Sequence, residues 1–86
     1  MTEVTMYSTG TCPYCERASN LLQGKAIAVN KIRVDLSEQE FITMQARSGL
    51  RTVPQIFIGE RHIGGCTELY QLAQTGELDK LMAAAS

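Results

Sequence analysis

The feature that most restricts the fold of this chain is a pair of cysteines at the junction between a strand pattern and a helix pattern. The run EVTMY (3–7) is typical of a strand, and STGT (8–11) is a loop by composition. Cys12 and Cys15 follow, separated by two residues. Pro13 suits the first helical position, because its missing N–H would have no intrahelical partner there. The sequence therefore predicts that Cys12 caps a helix and that Cys15 lies one turn further in.

The rest of the chain alternates between strand and helix signals. The first helix ends near Gly24, and Ser37 and Glu40 have the spacing of a capping box that starts a second helix running to Gly49. Further strands are predicted for VNKIRVDL (29–36), QIFI (55–58) and RHI (61–63), the last two joined by a Gly-Glu turn. The segments GGCTELYQLAQTG and ELDKLMAAA give one or two closing helices.

The order β-α-β-α-β-β-α predicts a single α/β domain over residues 1–86. Strands that alternate with helices imply a parallel βαβ unit, and the last two strands make a hairpin. We expect one four-stranded mixed sheet with helices on both faces.

Composition excludes several classes of function. The chain has 86 residues, a net charge of −1 and no basic patch, so nucleic acid is not an expected partner. No apolar run approaches the roughly 18 residues of a membrane span, and the N-terminus lacks the features of a signal peptide. We expect a cytoplasmic monomer. Three cysteines, an odd number, in a reducing compartment favour catalytic or metal-binding roles over a structural disulfide.

The position of the cysteine pair favours redox chemistry. Free N–H groups and the helix dipole stabilise a thiolate at a helix N-terminus, and the thiolate is the nucleophile of thiol–disulfide exchange. We expect Cys12 to be exposed and reactive, and Cys15 to be buried yet close enough to form a disulfide with it. A C-x-x-C near a βαβ pattern is typical of thioredoxin-like redox proteins. The alternative is a zinc site formed with His62 and Cys66, but IFIGERHIGGC is typical of a hairpin and helix start, so we expect no bound metal.

Two further segments carry candidate binding groups. In RTVPQIF, a cis bond before Pro54 would leave the backbone of Val53 free to pair with an extended peptide, whereas a trans proline would simply start a strand. Only about 5–6% of X–Pro bonds are cis, so the local sequence favours trans. In HIGGCTEL, the N–H groups of Cys66 and Thr67 would open a helix and could bind a carboxylate, or the segment is a plain strand-to-helix turn. Cys66 fits a small buried residue or a regulatory thiol.

The motifs TCPYC, RTVPQIFIG and HIGGC, in this order and spacing, resemble the glutaredoxins, and the resemblance covers essentially the whole chain. The resemblance implies a thioredoxin-like fold, a cis bond at Pro54, and glutathione as cosubstrate rather than a permanently bound cofactor. It implies that Cys12 is the nucleophile and Cys15 the resolving thiol. The partners it implies are glutathionylated or disulfide-containing proteins and, indirectly, glutathione reductase and NADPH.

The resemblance also assigns contacts to glutathione. The Val53 backbone would pair with the cysteinyl part, the amides of Cys66 and Thr67 would hold the γ-glutamyl carboxylate, and Tyr14 and Pro54 would flank the sulfur. Arg51 and Thr52 would lie near the glycyl end. The full set of expected glutathione-binding residues is Thr11, Tyr14, Arg51, Thr52, Val53, Pro54, Gly65, Cys66, Thr67 and Glu68.

Two positions depart from the family pattern. Many members carry a lysine near Thr9, where this chain has none, so either Arg51 or Arg47 replaces its charge or glutathione affinity and thiolate stabilisation are weaker. The family often has Asp after GGC, where this chain has Thr67 followed by Glu68. Two rival functions remain: a redoxin reduced by thioredoxin reductase, which the complete groove opposes, and an iron–sulfur carrier, in which Gly usually stands where this chain has Pro13.

Overall fold

The computed structural model describes residues 3–85, which form four strands and four helices. Every strand and helix predicted from the sequence is present. The elements are β1 (Val4–Ser8), α1 (Pro13–Gly24), β2 (Val29–Arg33), α2 (Glu38–Ser48), β3 (Gln55–Ile58), β4 (Arg61–Gly64), α3 (Cys66–Thr75) and α4 (Glu77–Ala85).

The strands form one mixed sheet in the order β2-β1-β3-β4. Strand β1 runs parallel to β2 and antiparallel to β3, and β3 pairs with β4 as an antiparallel hairpin. The hairpin register shifts, because Ile56 pairs with Gly64 while Phe57 pairs with His62, which leaves Ile63 as an extra residue in β4. The predicted four-stranded mixed sheet is confirmed.

Helices cover both faces of the sheet because β1 and β3 have apolar side chains on both faces. Met6 and Ile56 face one side, where they pack with Leu22 of α1, Leu69 of α3 and Leu78 of α4. The opposite face carries a smaller cluster against α2, formed by Tyr7, Val34, Met44 and Phe57. Each layer excludes water from one face of the sheet, and the end of β1 and the start of β3 are thereby held beside the start of α1.

The structure corrects one boundary. The predicted strand 29–36 ends at Arg33, because the carboxylate of Asp35 accepts hydrogen bonds from Arg33 Nε at 2.7 Å and Nη2 at 2.6 Å and the backbone turns. Leu36, which was predicted to continue the strand as one of the apolar residues that alternate with polar ones, is 74% exposed.

The C-terminal segment contains two helices rather than one. Gly76 lies between α3 and α4 with φ of +80°, a left-handed conformation that ends α3. Leu78 of α4 is nonetheless fully buried against the sheet. Among residues 3–85, no helix has both the length and the apolar character needed to cross a membrane.

Candidate functional site

Cys12 caps the N-terminus of α1 with extended backbone angles, as the sequence predicts. Its Sγ atom accepts a hydrogen bond from the backbone N–H of Cys15 at 3.3 Å, and the Glu16 N–H bonds to the Cys12 carbonyl at 3.2 Å. A sulfur in this position faces the unpaired N–H groups and the positive end of the helix dipole. The helix start therefore places the sulfur of Cys12, which is half-buried, beside groups that favour negative charge.

Cys15 has the opposite environment. Its side chain is only 4% exposed, against the inner side of α1. Burial is the largest cause, and the hydrogen bond with Cys12 the next, of a rise in the pKa of Cys15 to about 12. Cys15 is thus a protonated thiol at neutral pH, while Cys12 is the accessible sulfur of the pair.

The loop before β3 provides the second side of the site. The Val53–Pro54 bond is cis, the alternative that the family resemblance implies. The carbonyl oxygen of Val53 lies 3.9 Å from Cys12 Sγ, within reach of a hydrogen bond from a thiol. Pro54 is buried, whereas Thr52 is exposed and Val53 half-buried. The backbone of this loop therefore borders the Cys12 sulfur.

The start of α3 forms the third side. Gly65 caps the helix, and its own N–H donates to Glu68 Oε1 at 3.1 Å. The N–H groups of Cys66 and Thr67 lie in the first turn, where helix geometry offers no intrahelical acceptor. Gly65 also lies against the opposite loop, because a Cβ placed on it would be 3.4 Å from the Pro54 carbonyl oxygen. The N–H groups of Cys66 and Thr67 thus present two unpaired donors to the space beside the cysteine pair.

Cys66 itself is buried, and burial raises the pKa of its thiol, an effect that the nearby charge of Arg17 opposes. The guanidinium of Arg17 also lies 5.6 Å from the ring centre of Tyr14, which is 57% exposed. Cys66 is therefore a packing residue in this state of the protein, and its backbone rather than its sulfur is presented to the site.

A cleft of about 240 Å³ lies between the proline loop and α3. It brings together eight of the ten residues expected to bind glutathione, together with Leu50 and Gln55, which were not predicted from the sequence. The eight are Tyr14, Thr52, Val53, Pro54, Gly65, Cys66, Thr67 and Glu68.

The remaining two expected residues lie elsewhere. Thr11 lines a larger hollow of about 570 Å³ that also contains Cys12 and Cys15 and reaches Lys31 and Arg33 of β2. Because β2 and β3 flank β1 on opposite sides, this hollow and the cleft lie on opposite sides of Cys12. The smaller cleft matches the expected contacts better, since it contains the proline loop and the α3 N-terminus. Arg51 is exposed and lines neither space.

Arg47, the other candidate for replacing the missing lysine, is held away from the cleft. Its guanidinium donates to Tyr7 Oη at 2.9 Å and to the Gly59 carbonyl at 3.4 Å, and it stacks over the Phe57 ring at 4.1 Å. Arg47 therefore supports the α2 side of the sheet, and Arg51 is the remaining candidate for that charge.

Gln55 is a cleft residue that the sequence patterns did not reveal. Its side chain is 2% exposed and hydrogen-bonded to both Thr52 and His62. The available signal was a single polar residue at the start of the otherwise apolar strand QIFI. Within residues 3–85, no group of three or more His, Cys, Asp or Glu side chains is arranged to hold a metal ion.

A four-stranded mixed sheet with helices on both faces and a C-x-x-C at the start of α1 defines a redox protein of the thioredoxin-like fold. The glutaredoxin family model matches residues 4–63. The chain is 52% identical over 83 residues to a glutaredoxin of Neisseria meningitidis, covering 95% of this chain and 98% of that protein. The chain belongs to the glutaredoxin family, whose members are thiol–disulfide oxidoreductases.

Two further relatives agree with this assignment. Glutaredoxin 3 of Escherichia coli K12 is 45% identical over 82 residues, covering 95% of this chain and 99% of that protein. The crystal structure of a buckwheat glutaredoxin–glutathione complex superimposes with a TM-score of 0.87 at 28% identity, covering 98% of this chain and 79% of the buckwheat chain.

Proposed function

We propose that this protein is a glutathione-dependent thiol–disulfide oxidoreductase that reduces protein–glutathione mixed disulfides and protein disulfides. The observation that carries the proposal is the position of Cys12 Sγ, 3.9 Å from the Val53 carbonyl beside the cleft. The buckwheat relative was solved as a complex with glutathione, which supports the same ligand here. We further propose a monomer with one domain over residues 1–86, acting in the cytoplasm.

Glutathione would lie in the cleft as an extended peptide. The backbone N–H and C=O of Val53 would pair with the cysteinyl residue in the manner of an added strand. The amides of Cys66 and Thr67 would hold the γ-glutamyl carboxylate at the α3 N-terminus. Tyr14 and Pro54 would flank the sulfur, and Arg51 and Thr52 would lie near the glycyl carboxylate.

The first step transfers the glutathionyl group to Cys12. The Cys12 thiolate attacks the glutathione sulfur of the mixed disulfide, so a new S–S bond forms and the protein leaves as a thiolate that takes up a proton. A second glutathione, as its thiolate, then attacks the glutathionyl sulfur on Cys12. The products are glutathione disulfide and the Cys12 thiolate, and NADPH enters only through glutathione reductase.

The dithiol reaction uses Cys15. Cys12 attacks a protein disulfide, and Cys15 then attacks Cys12, which closes the Cys12–Cys15 disulfide and releases the reduced protein. The hydrogen bond and charge of Cys12 are among the causes that raise the pKa of Cys15. Both disappear once Cys12 is in a mixed disulfide, so the pKa of Cys15 falls at the stage when its thiolate is needed, although burial still raises it.

The test is reduction of a glutathionylated peptide coupled to glutathione reductase and NADPH. Wild-type protein, Cys12→Ser and Cys15→Ser are compared. We expect turnover by wild type and Cys15→Ser and none by Cys12→Ser, because only Cys12 is needed for the glutathionyl transfer. If none turns over while thioredoxin reductase reduces the wild-type disulfide, the protein is a glutathione-independent redoxin and the proposal is wrong.

A further inference from the structure

A chain of hydrogen bonds runs from β4 across β3 to the loop before Pro54. His62 Nε2 lies 2.7 Å from Gln55 Oε1. On the other end of the same amide, Gln55 Nε2 donates to the Thr52 carbonyl oxygen at 2.9 Å and to Thr52 Oγ1 at 3.2 Å. The Gln55 side chain is 2% exposed, so these contacts satisfy a polar group that water does not reach.

The donors and acceptors in this series of hydrogen bonds are assigned from the Thr52 carbonyl oxygen. A backbone carbonyl can only accept, so the Gln55 nitrogen must face Thr52 and its oxygen must face His62. His62 therefore donates from Nε2. The imidazole ring is held in place as well, because it lies 4.9 Å from the Phe57 ring centre at an interplanar angle of 35°. One arrangement of donors and acceptors satisfies all three residues.

This series of hydrogen bonds connects the two walls of the cleft. Thr52, Val53 and Gln55 line one wall, while β4 continues directly from His62 through Gly64 into the opposite wall at Gly65. The two-residue turn at Gly59 and Glu60 pairs Phe57 with His62, so His62 lies on the face of the sheet that also carries Gln55.

We propose that Gln55 and His62 are positioning residues that set the place of the Thr52–Val53 backbone for recognition of the glutathionyl group. The inference rests on the proposed function. Gln55 holds the Thr52 carbonyl, and His62 fixes the orientation of the Gln55 amide. The adjacent Val53 backbone is thereby presented to the tripeptide, with its carbonyl 3.9 Å from Cys12 Sγ.

The test compares two mixed disulfides of one cysteine peptide, one with glutathione and one with cysteamine. Cysteamine supplies a sulfur but no tripeptide backbone. The rate constant for reaction of the reduced protein is measured with each, for wild type, Gln55→Met and His62→Phe. Met keeps the length of Gln55 without its amide, and Phe keeps the ring over Phe57 without its donor.

We expect each variant to react about 3- to 10-fold more slowly with the glutathionyl peptide, the range for loss of one hydrogen bond. The rate with the cysteaminyl peptide should stay within about 2-fold of wild type, so the preference for the glutathionyl group falls. Because both residues act through one amide, the rate constant of the double variant with the glutathionyl peptide should lie within about 2-fold of that of Gln55→Met. Gln23→Met, an exposed glutamine near the far end of α1, is the matched control and should keep the full preference.

An equal loss with both substrates would mean a general structural role and would overturn the inference, as would unchanged preference in both variants. Gln55→Glu provides a second check if Gln55→Met unfolds, because it keeps an acceptor for His62 and removes the donor to Thr52. Equal rates for the two substrates in the wild-type protein would overturn the proposed function itself, and this inference with it.

Discussion

Cys12 Sγ accepts a hydrogen bond from the backbone N–H of Cys15 at 3.3 Å. The Cys12 sulfur lies at the mouth of the site, and the Cys15 sulfur is buried beneath it. The same four-residue turn thus gives the two thiols different environments. Cys12 is half-buried at the helix start, while Cys15 is 4% exposed. In the proposed mechanism, Cys12 reacts before Cys15 because of this difference in access.

The first prediction concerns the pH dependence of Cys15. Burial, the largest cause, raises the pKa of Cys15 towards about 12, so its thiolate fraction should keep rising well above the pH at which an ordinary thiol is fully ionised. Cys12→Ser keeps this burial but loses the charge of Cys12, so iodoacetamide labelling of Cys15 should still accelerate at a pH where an ordinary thiol has levelled off. Mass spectrometry of the labelled peptide measures the rate.

A small cysteine peptide in the same reaction is the control for Cys15 and should level off near pH 9. Circular dichroism at each pH verifies that the protein stays folded. A plateau for Cys15 at the pH of the control peptide would contradict the assigned environment.

The second prediction concerns the glycine that leads into the α3 wall. Gly64 has φ of +116°, and a Cβ there would lie 2.8 Å from Glu68 Oε1, the acceptor of the Gly65 N–H. Gly64→Ala should therefore lower the free energy of unfolding by about 1–3 kcal/mol, because the backbone is strained and the Glu68 carboxylate is displaced. Urea unfolding measures the change.

Gly24→Ala is the matched control for this substitution. Gly24 is helical, and a Cβ added to it would meet no neighbouring atom within 4 Å, so alanine should raise stability by about 0.4–1 kcal/mol. Equal effects of the two substitutions would show that the conformation of Gly64 does not matter.

The third prediction concerns acid stability. The hydrogen bonds from Arg33 lower the pKa of Asp35 to about 2, below its usual value near 3.8. Since the folded pKa is depressed, the stabilisation is present above about pH 4 and is lost as the pH falls towards 2. Because this ion pair is exposed to solvent, Asp35→Asn should flatten the stability curve between pH 4 and pH 2 only slightly, as measured by urea unfolding at a series of pH values.

The control for Asp35 is Asp79→Asn, which removes an exposed ion pair with Lys25 at 3.4 Å. Such pairs contribute little, so this variant should follow the wild-type curve closely. The Asp35 carboxylate also accepts from the Gly10 N–H at 3.3 Å in the loop before Cys12. An unchanged slope in Asp35→Asn would mean that this ion pair does not contribute to folding.

Local signals in the sequence were sufficient for most of the fold. Ser37 Oγ accepts from the Glu40 N–H at 3.3 Å, and Cys12 caps α1 ahead of Pro13, as their spacing predicts. These features depend on neighbours within one turn, which the sequence contains directly. The strand period likewise fixed which side chains share a face, because successive residues of a strand point to opposite faces.

The tertiary structure decided what depends on distant partners. The pairing of β3 with β4 brought His62 to Gln55. The approach of the Val53 carbonyl to Cys12 likewise joins residues 41 positions apart. Periodicity specifies the face on which a side chain lies, but only strand register and packing specify the residue that it meets there. The sequence by itself therefore determined the elements and the cysteine pair, and the folded chain determined the cleft beside them.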